Sequence, residues 1–372
     1  MSVAYGCKLK LKDVCIIRYG KDHKRLEDGV IPVYGSGGVI RHVNSWIWDK
    51  PSVLIPRKGT LGNLYYANGP FWTVDTLFWT IVDSTKVLPK YLYYLLKTKN
   101  LAALDVGTAV PSLTVDTLNE VEIDLPPLGV QRQVVELLDS IEKMIEGNAR
   151  LNGYLAALGE TMATRCSNET DGTLDDICSQ SKETVSLEAA QLETYVSTEN
   201  LLPNKAGLQL SAGLPTSGKV TRYRKGDTLV ANIRPYFKKI WYATDEGTCS
   251  GDVIVFRAND ARYAPYVFFS LCRDEFFEYV MLGAKGTKMP RGDKKQMMTF
   301  PICTNCNSTD LQLLHELASM IGTNHAESRQ LMRLRDTLLP KLMSGEIDVS
   351  KVDLTQLNSC LLYTSPSPRD GA

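Results

Sequence analysis

The 372-residue sequence predicts an α+β protein built twice: two tandem α/β globular domains separated by two long helices that pair as an antiparallel coiled coil, a pseudo-two-fold internal repeat. Three observations carry this expectation. Apolar residues fall alternately four and three apart over two stretches, the spacing of a coiled-coil seam. The two stretches track one another position by position, 176 residues apart, from Leu137 against Leu313 onward. Each is preceded by short β-branched and aromatic runs between glycine-rich turns, which read as strands of a mixed domain.

The first globular domain is expected over residues 1–126. Ser52-Val-Leu-Ile-Pro56 and Phe78-Trp-Thr-Ile-Val82 read as its strands, and the aromatic cluster Tyr91-Leu-Tyr-Tyr-Leu-Leu96 as its helix. The first long helix, over 127–166, begins behind Pro126-Pro127, which end the preceding strand. Its seam runs Val130, Val134, Leu137, Ile141, Met144, Asn148, Leu151, Leu155, Leu158 and Met162. The second globular domain, over 167–306, repeats the first. Asp227-Thr-Leu-Val230 and Asp252-Val-Ile-Val-Phe256 read as strands, and Tyr266-Val-Phe-Phe-Ser-Leu271 answers the earlier aromatic helix. Leu125-Pro126 answers Phe300-Pro301, and Gly107 through Pro111 answers Gly286 through Pro290.

The second long helix, over 307–346, starts near Ser308-Thr309-Asp310, which can cap it. Its seam runs Leu313, Leu317, Met320, Asn324, Glu327, Leu331, Leu334 and Leu338. A helix of about 35 residues is about 50 Å long. Asn148 and Asn324 sit where an apolar residue would be more stable, which assigns them to fixing register, with Leu155 and Leu331 as apolar pairing partners. Pro340 should kink or end the last turn, and Gly345 can close it. Residues 347–372 are a tail. Within it, 360–372 (Cys360-Leu-Leu-Tyr-Thr-Ser-Pro-Ser-Pro-Arg-Asp370 onward) abandons the pattern and reads as non-native sequence.

Composition narrows the function classes. With 42 basic and 42 acidic side chains the net charge is zero, so any nucleic-acid contact must use local basic patches. No apolar run approaches the roughly 20 residues of a membrane helix, and the N-terminus lacks the apolar stretch of a signal peptide, so a cytoplasmic protein without a membrane partner is expected. Nine scattered cysteines suit a reducing compartment. Cys303 and Cys306 have no second ligand pair at similar spacing and read as thiols, which leaves no metal site expected. The histidines at 23, 42, 315 and 325 lack acidic or cysteine partners and read as structural.

Both domains carry glycine-rich loops dense in cations. The first offers Tyr34-Gly-Ser36-Gly-Gly and Pro56-Arg57-Lys58-Gly-Thr60-Leu-Gly-Asn63. The second offers Arg222 and Arg224, the run Arg234-Pro-Tyr-Phe-Lys238, and Lys285-Gly-Thr-Lys288-Met-Pro-Arg291. Arginine can hold guanine bidentately, asparagine can hold adenine, and glycine lets the main chain approach phosphate. Single cations in loops are usually solvated surface, so the clusters carry more weight than any one residue. A methyltransferase would need a glycine-rich cofactor loop and an Asn-Pro-Pro-Tyr-like tetrapeptide, and neither is present. Gly283-Ala-Lys-Gly-Thr-Lys288 lacks phosphate-loop spacing and reads as a turn. No catalytic residue is assigned.

These strings resemble the specificity subunits of type I restriction-modification enzymes across nearly all of residues 8–350. The segment IPVYGSGGVI with SVLIPRKGTLGNLYYANGPFWTVDTLFW resembles a target-recognition domain, and GTAVPSLTVDTLNEVEIDLPPLGVQRQVVELLDSIEKMIEGNARLN its end running into the central conserved helix. LMRLRDTLLPKLMSGEIDVSKV resembles the C-terminal helix end. The resemblance implies a non-catalytic subunit whose two domains each read half of a bipartite double-stranded DNA site, the helices setting the gap and docking methyltransferase subunits. Restriction subunits join that core. SAM, ATP and Mg2+ would be used by the partners, with no cofactor held by this chain. Unlike loops imply unlike half-sites. Two other classes compete: a self-contained restriction or modification enzyme, and a scaffold whose domains bind proteins.

Overall fold

The computed structural model describes residues 7–105, 107, 111–166 and 170–349. Chain contacts divide it into two compact units, one of residues 1–143 with 333–372 and one of residues 144–332.

In the first unit the strand Ser52–Pro56 is buried at every position, so it occupies the middle of a sheet. Its neighbours are Leu77–Val82 and Tyr65–Ala67, and Cys15–Tyr19 completes an antiparallel sheet on the far side of Leu77–Val82. Two buried hydroxyls there satisfy one another's backbone: Ser52 Oγ donates to the Thr80 carbonyl at 2.8 Å, and Thr80 Oγ1 accepts from Val53 N at 2.9 Å. The helix Pro89–Lys97 lays Tyr91, Leu92, Tyr94, Leu95 and Leu96 on this sheet. A second sheet joins Gly38–Val43, Asp28–Gly35 and Trp72–Thr73, and a short ladder pairs Cys7–Lys10 with Glu122–Leu125.

The second unit repeats the four-stranded antiparallel sheet in the same order: Cys178–Gln180, Val253–Ala258, Thr228–Ala231, Ile240–Tyr242. The short ladder recurs as Gly172–Thr173 with Pro301–Ile302. The helix Ala264–Cys272, buried throughout, takes the place of Pro89–Lys97. The remaining sheet departs, with four strands (Thr184–Ser186, Lys219–Tyr223, Gly247–Cys249, Tyr195–Val196), and so does the extra helix Asp274–Leu282. The internal repeat is therefore shared in framework and divergent at its second sheet.

The long helices run Leu128–Cys166 and Ser308–Met343. Within the second unit they are antiparallel: Asn148 Nδ2 donates to Glu327 Oε2 at 2.9 Å, Asn152 Nδ2 to the Ile321 carbonyl at 3.4 Å, and Arg165 Nη2 to Asp310 Oδ1 at 2.9 Å. Asn324 Nδ2 donates to Asn152 Oδ1 at 2.8 Å, and Asn148 Nδ2 also reaches the Asn324 carbonyl at 3.5 Å. Asn148 and Asn324 thus belong to a three-asparagine seam whose most buried member, Asn152, the heptad spacing did not single out. Within the first unit Arg335 Nη1 reaches Glu142 Oε1 at 3.1 Å, and Leu338, Leu339, Leu342 and Met343 join the core. Pro340 does not end the helix, which runs on to Met343 and closes at Gly345 with φ 74°.

The structure corrects the expected seam. Leu151, Leu158, Leu313, Met320 and Leu334 are exposed. Leu155 is buried and Leu331 half-buried, while Gly159, Ala163, Leu314, Ala318 and Ile321 do the close packing. A heptad repeat shows that a helix has an apolar stripe but not which neighbour covers it. Here the second unit's core recruits the adjacent stripe of small residues: a Cβ on Gly159 would lie 2.3 Å from the Phe269 ring.

Candidate nucleic-acid interface

In the first unit the patch begins at the turn joining Asp28–Gly35 to Gly38–Val43, which Gly38 permits with φ 113°. Tyr65 Oη donates to the Ser36 carbonyl at 3.0 Å, and the Tyr34 and Tyr65 rings lie 5.9 Å apart. Burial pushes the Tyr34 phenol up, so at neutral pH it is an uncharged donor. The loop leaving the central strand comes alongside, with a Cβ on Gly59 only 3.7 Å from Ser36 Oγ. Arg57 lays its guanidinium over Tyr19 at 5.3 Å and donates Nη1 to the Asp75 carbonyl at 3.3 Å. Lys58, Thr60 and Asn63 are exposed on the same loop, and the Asn63 amide closes a turn on the Thr60 carbonyl at 3.2 Å. Tyr34, Ser36, Arg57, Lys58, Thr60 and Asn63 therefore share one surface.

A pair of crossing segments holds that loop. Arg57 N donates to the Thr76 carbonyl at 2.8 Å, Gly59 N to the Pro111 carbonyl at 3.2 Å, and Leu113 N to the Arg57 carbonyl at 2.9 Å. Lys58 stands opposite Ser112 in an antiparallel bridge. The second unit builds the same crossing from different residues. Asn232 N donates to the Asp252 carbonyl at 2.8 Å, Arg234 N to the Pro290 carbonyl at 2.8 Å, and Gly292 N to the Asn232 carbonyl at 3.4 Å, with Ile233 opposite Arg291.

The second unit's expected residues separate into three places. Arg234, Lys288 and Arg291 come together at the crossing, where Lys285 and Arg291 exchange backbone hydrogen bonds at 2.9 Å around Gly286, whose φ is 97°. The turn reading of Gly283 to Lys288 is thus what the backbone shows. Lys238 is drawn elsewhere, its ammonium 2.8 Å from Asp274 on the helix Asp274–Leu282. Arg222, on the strand Lys219–Tyr223, and Arg224, just beyond its end, both face Glu183, at 3.7 and 3.0 Å. Arg257 links this group to buried Asp227 at 2.7 Å. Arg222, Arg224 and Lys238 have intramolecular carboxylate partners that no local pattern announced, because the partners are 36 to 41 residues away in sequence. Sequence reasoning also missed Thr76, Ser112 and Asp252, which become visible only when the segments cross.

Among the described residues no group of three or more histidine, cysteine or acidic side chains is placed to hold a metal, and neither Cys303 nor Cys306 is in a disulfide. Among the described residues no helix is long and apolar enough to cross a membrane.

Comparison with known proteins shows what this chain is similar to. Residues 8–154, which contain the whole first patch, match the family model described as the type I restriction modification DNA specificity domain. Residues 8–154 are similar to a type I specificity domain. The specificity subunit of the type I restriction enzyme EcoDI from Escherichia coli is 22% identical over 377 residues, covering 86% of this chain and 83% of that protein. The specificity subunit of the type I enzyme MpnII from Mycoplasma pneumoniae is 27% identical over 143 residues, 36% of this chain and 43% of that protein. This chain spans about half the length of the mycoplasma specificity subunits it matches. A crystal structure of a type I restriction-modification S subunit from M. genitalium covers 90% of this chain and 95% of its own, with a TM-score of 0.57 at 16% identity. The fold is therefore that of a specificity subunit, α+β units with long paired helices.

Proposed function

We propose that the chain is the non-catalytic specificity subunit of a type I restriction-modification complex, reading double-stranded DNA through two recognition domains. The domains are residues 1–126 and 167–306, and the helices 127–166 and 307–346 set the gap between half-sites and dock methyltransferase subunits, with restriction subunits joining them. The observation that carries the reading is the crossing-loop device found once in each unit, its backbone bonding alike and its side chains different. A fixed frame with variable side chains suits two half-sites of unlike sequence. Tyr34, Ser36, Arg57, Lys58, Thr60 and Asn63 face the first half-site, and Arg234, Lys288 and Arg291 the second; Arg222, Arg224 and Lys238 contribute through their paired sites. SAM, ATP and Mg2+ belong to the partner subunits, and the complex works in the cytoplasm.

Helix docking is supported by exposed apolar residues on the long helices: in the second unit Leu151, Leu158, Leu313 and Met320 are 40 to 51% exposed. The test is to co-express the chain with its methyltransferase and map N6-methyladenine genome-wide. The expected outcome is a two-part motif with a fixed gap that vanishes when this chain is deleted. Unchanged methylation with an intact partner complex would instead favour a protein-binding scaffold.

A further inference from the structure

The crossing loops of the two units correspond bond by bond. Arg57 N to Thr76 O in the first unit is Asn232 N to Asp252 O in the second, and Gly59 N to Pro111 O is Arg234 N to Pro290 O. Lys58 opposite Ser112 is Ile233 opposite Arg291. These equivalences place Thr76 where the second unit has Asp252, and Ser112 where it has Arg291. Those two second-unit residues form an ion pair, with Arg291 Nη2 3.1 Å from Asp252 Oδ1. An ion pair in one unit is therefore replaced as a set by two small hydroxyl residues in the other.

Several features make the pair more than a surface salt bridge. Its backbone ends are fixed: Arg291 exchanges both hydrogen bonds with Lys285, and the Asp252 carbonyl holds the amide of Asn232 at the end of the central sheet. Its side chains stay half open, 55% exposed for Arg291 and 42% for Asp252, so the guanidinium is paired with a carboxylate and still accessible to solvent. A guanidinium anchored by a carboxylate on a rigid frame presents its remaining donors in one plane, the geometry that matches O6 and N7 of guanine. Isolated exposed pairs add little to stability, so stability gives no reason for the pair to be set on the crossing.

Resting on the DNA-reading function proposed above, we infer that Arg291 reads a guanine in the second half-site, that Asp252 is its positioning residue, and that Ser112 and Thr76 are the equivalent specificity positions of the first half-site. Lys288 and Lys58, exposed beside the crossings, supply charge to phosphate without selecting a base.

The test compares methylated motifs, letter by letter, for cells expressing the methyltransferase with wild-type chain or variants. With the doubly substituted Arg291→Ser and Asp252→Thr chain, one guanine of the second half-site should become degenerate, its preference falling on the order of 10-fold, while the first half and the gap stay fixed. Asp252→Asn, which keeps the arginine charge, should weaken the same letter to a smaller extent. Ser112→Arg with Thr76→Asp should install a guanine preference in the first half. The inference is overturned if every letter survives the double substitution, or if methylation falls equally at all sites with the letters intact, as removal of a phosphate-binding cation would give. A first half left without any new preference overturns the equivalence of the positions. If the wild-type chain itself directs no bipartite motif, the DNA-reading function fails, and this inference with it.

Discussion

Arg57 and Lys58 show how one loop can divide its labour. Arg57 is stacked on Tyr19 and bonded to the Asp75 carbonyl, so its guanidinium is already ordered, whereas Lys58 is exposed. Alanine at both should lower duplex affinity and reduce the slope of log affinity against log salt by about 1 for each phosphate that is no longer neutralised. Unchanged affinity, half-site preference and slope would remove both from the interface. His325 illustrates a different residue-scale effect. It lines a cavity of about 640 Å³ with Trp241 and Met332, and a Cβ on Gly207 would fall 2.6 Å from its Nε2. Burial, helped by Arg329, pushes its pKa from 6.5 down to about 4. The folded state therefore keeps His325 neutral where the unfolded chain takes up a proton, so stability is lost as pH falls from about 6.5 toward 4. The loss reaches roughly 2 kcal/mol by pH 5. His325→Gln should melt with a smaller drop between pH 7 and pH 5 than the wild type; equal drops would show that another group titrates.

At the scale of elements, glycines in the first long helix separate packing from propensity. Gly159 faces Phe269 so closely that Gly159→Ala must displace the ring, at a cost of about 1 to 3 kcal/mol. Gly153 has nothing within 4 Å of its would-be Cβ, and Gly153→Ala should stabilise by up to about 1 kcal/mol through helix propensity. Thermal unfolding of the two variants should move in opposite directions, and a shared direction would mean that the helix does not pack on Ala264–Cys272 as described. The asparagines act at the same scale. Asn324 and Asn152 bond across the helices, so each polar group at this seam finds its partner in one register only.

Over the whole molecule, the notable property is apolar surface left uncovered on the long helices. Leu151 and Leu158 repeat one heptad apart, as do Leu313 and Met320, and none is needed by the second unit's core. Exposed apolar positions tolerate charge with little effect on folding. If the helices dock a methyltransferase as proposed, Leu158→Lys with Leu313→Lys should raise the solubility of the chain expressed alone and abolish its co-purification with that partner. Retained co-purification would place the docking face elsewhere.

The sequence by itself determined the duplication, the α+β class, the two long helices and the loops that carry cations, because each is a local or periodic signal. Tertiary structure decided which stripe of those helices is buried, since the domain cores compete with the partner helix for them and small residues at Gly159, Ala163 and Ala318 win the closer approach. It also decided which cations remain available. Arg222, Arg224 and Lys238 are held by carboxylates distant in sequence, while Arg291 meets Asp252 only where two segments cross. Charge pairing across such separations leaves no periodicity to read, because it depends on chain crossing and not on spacing.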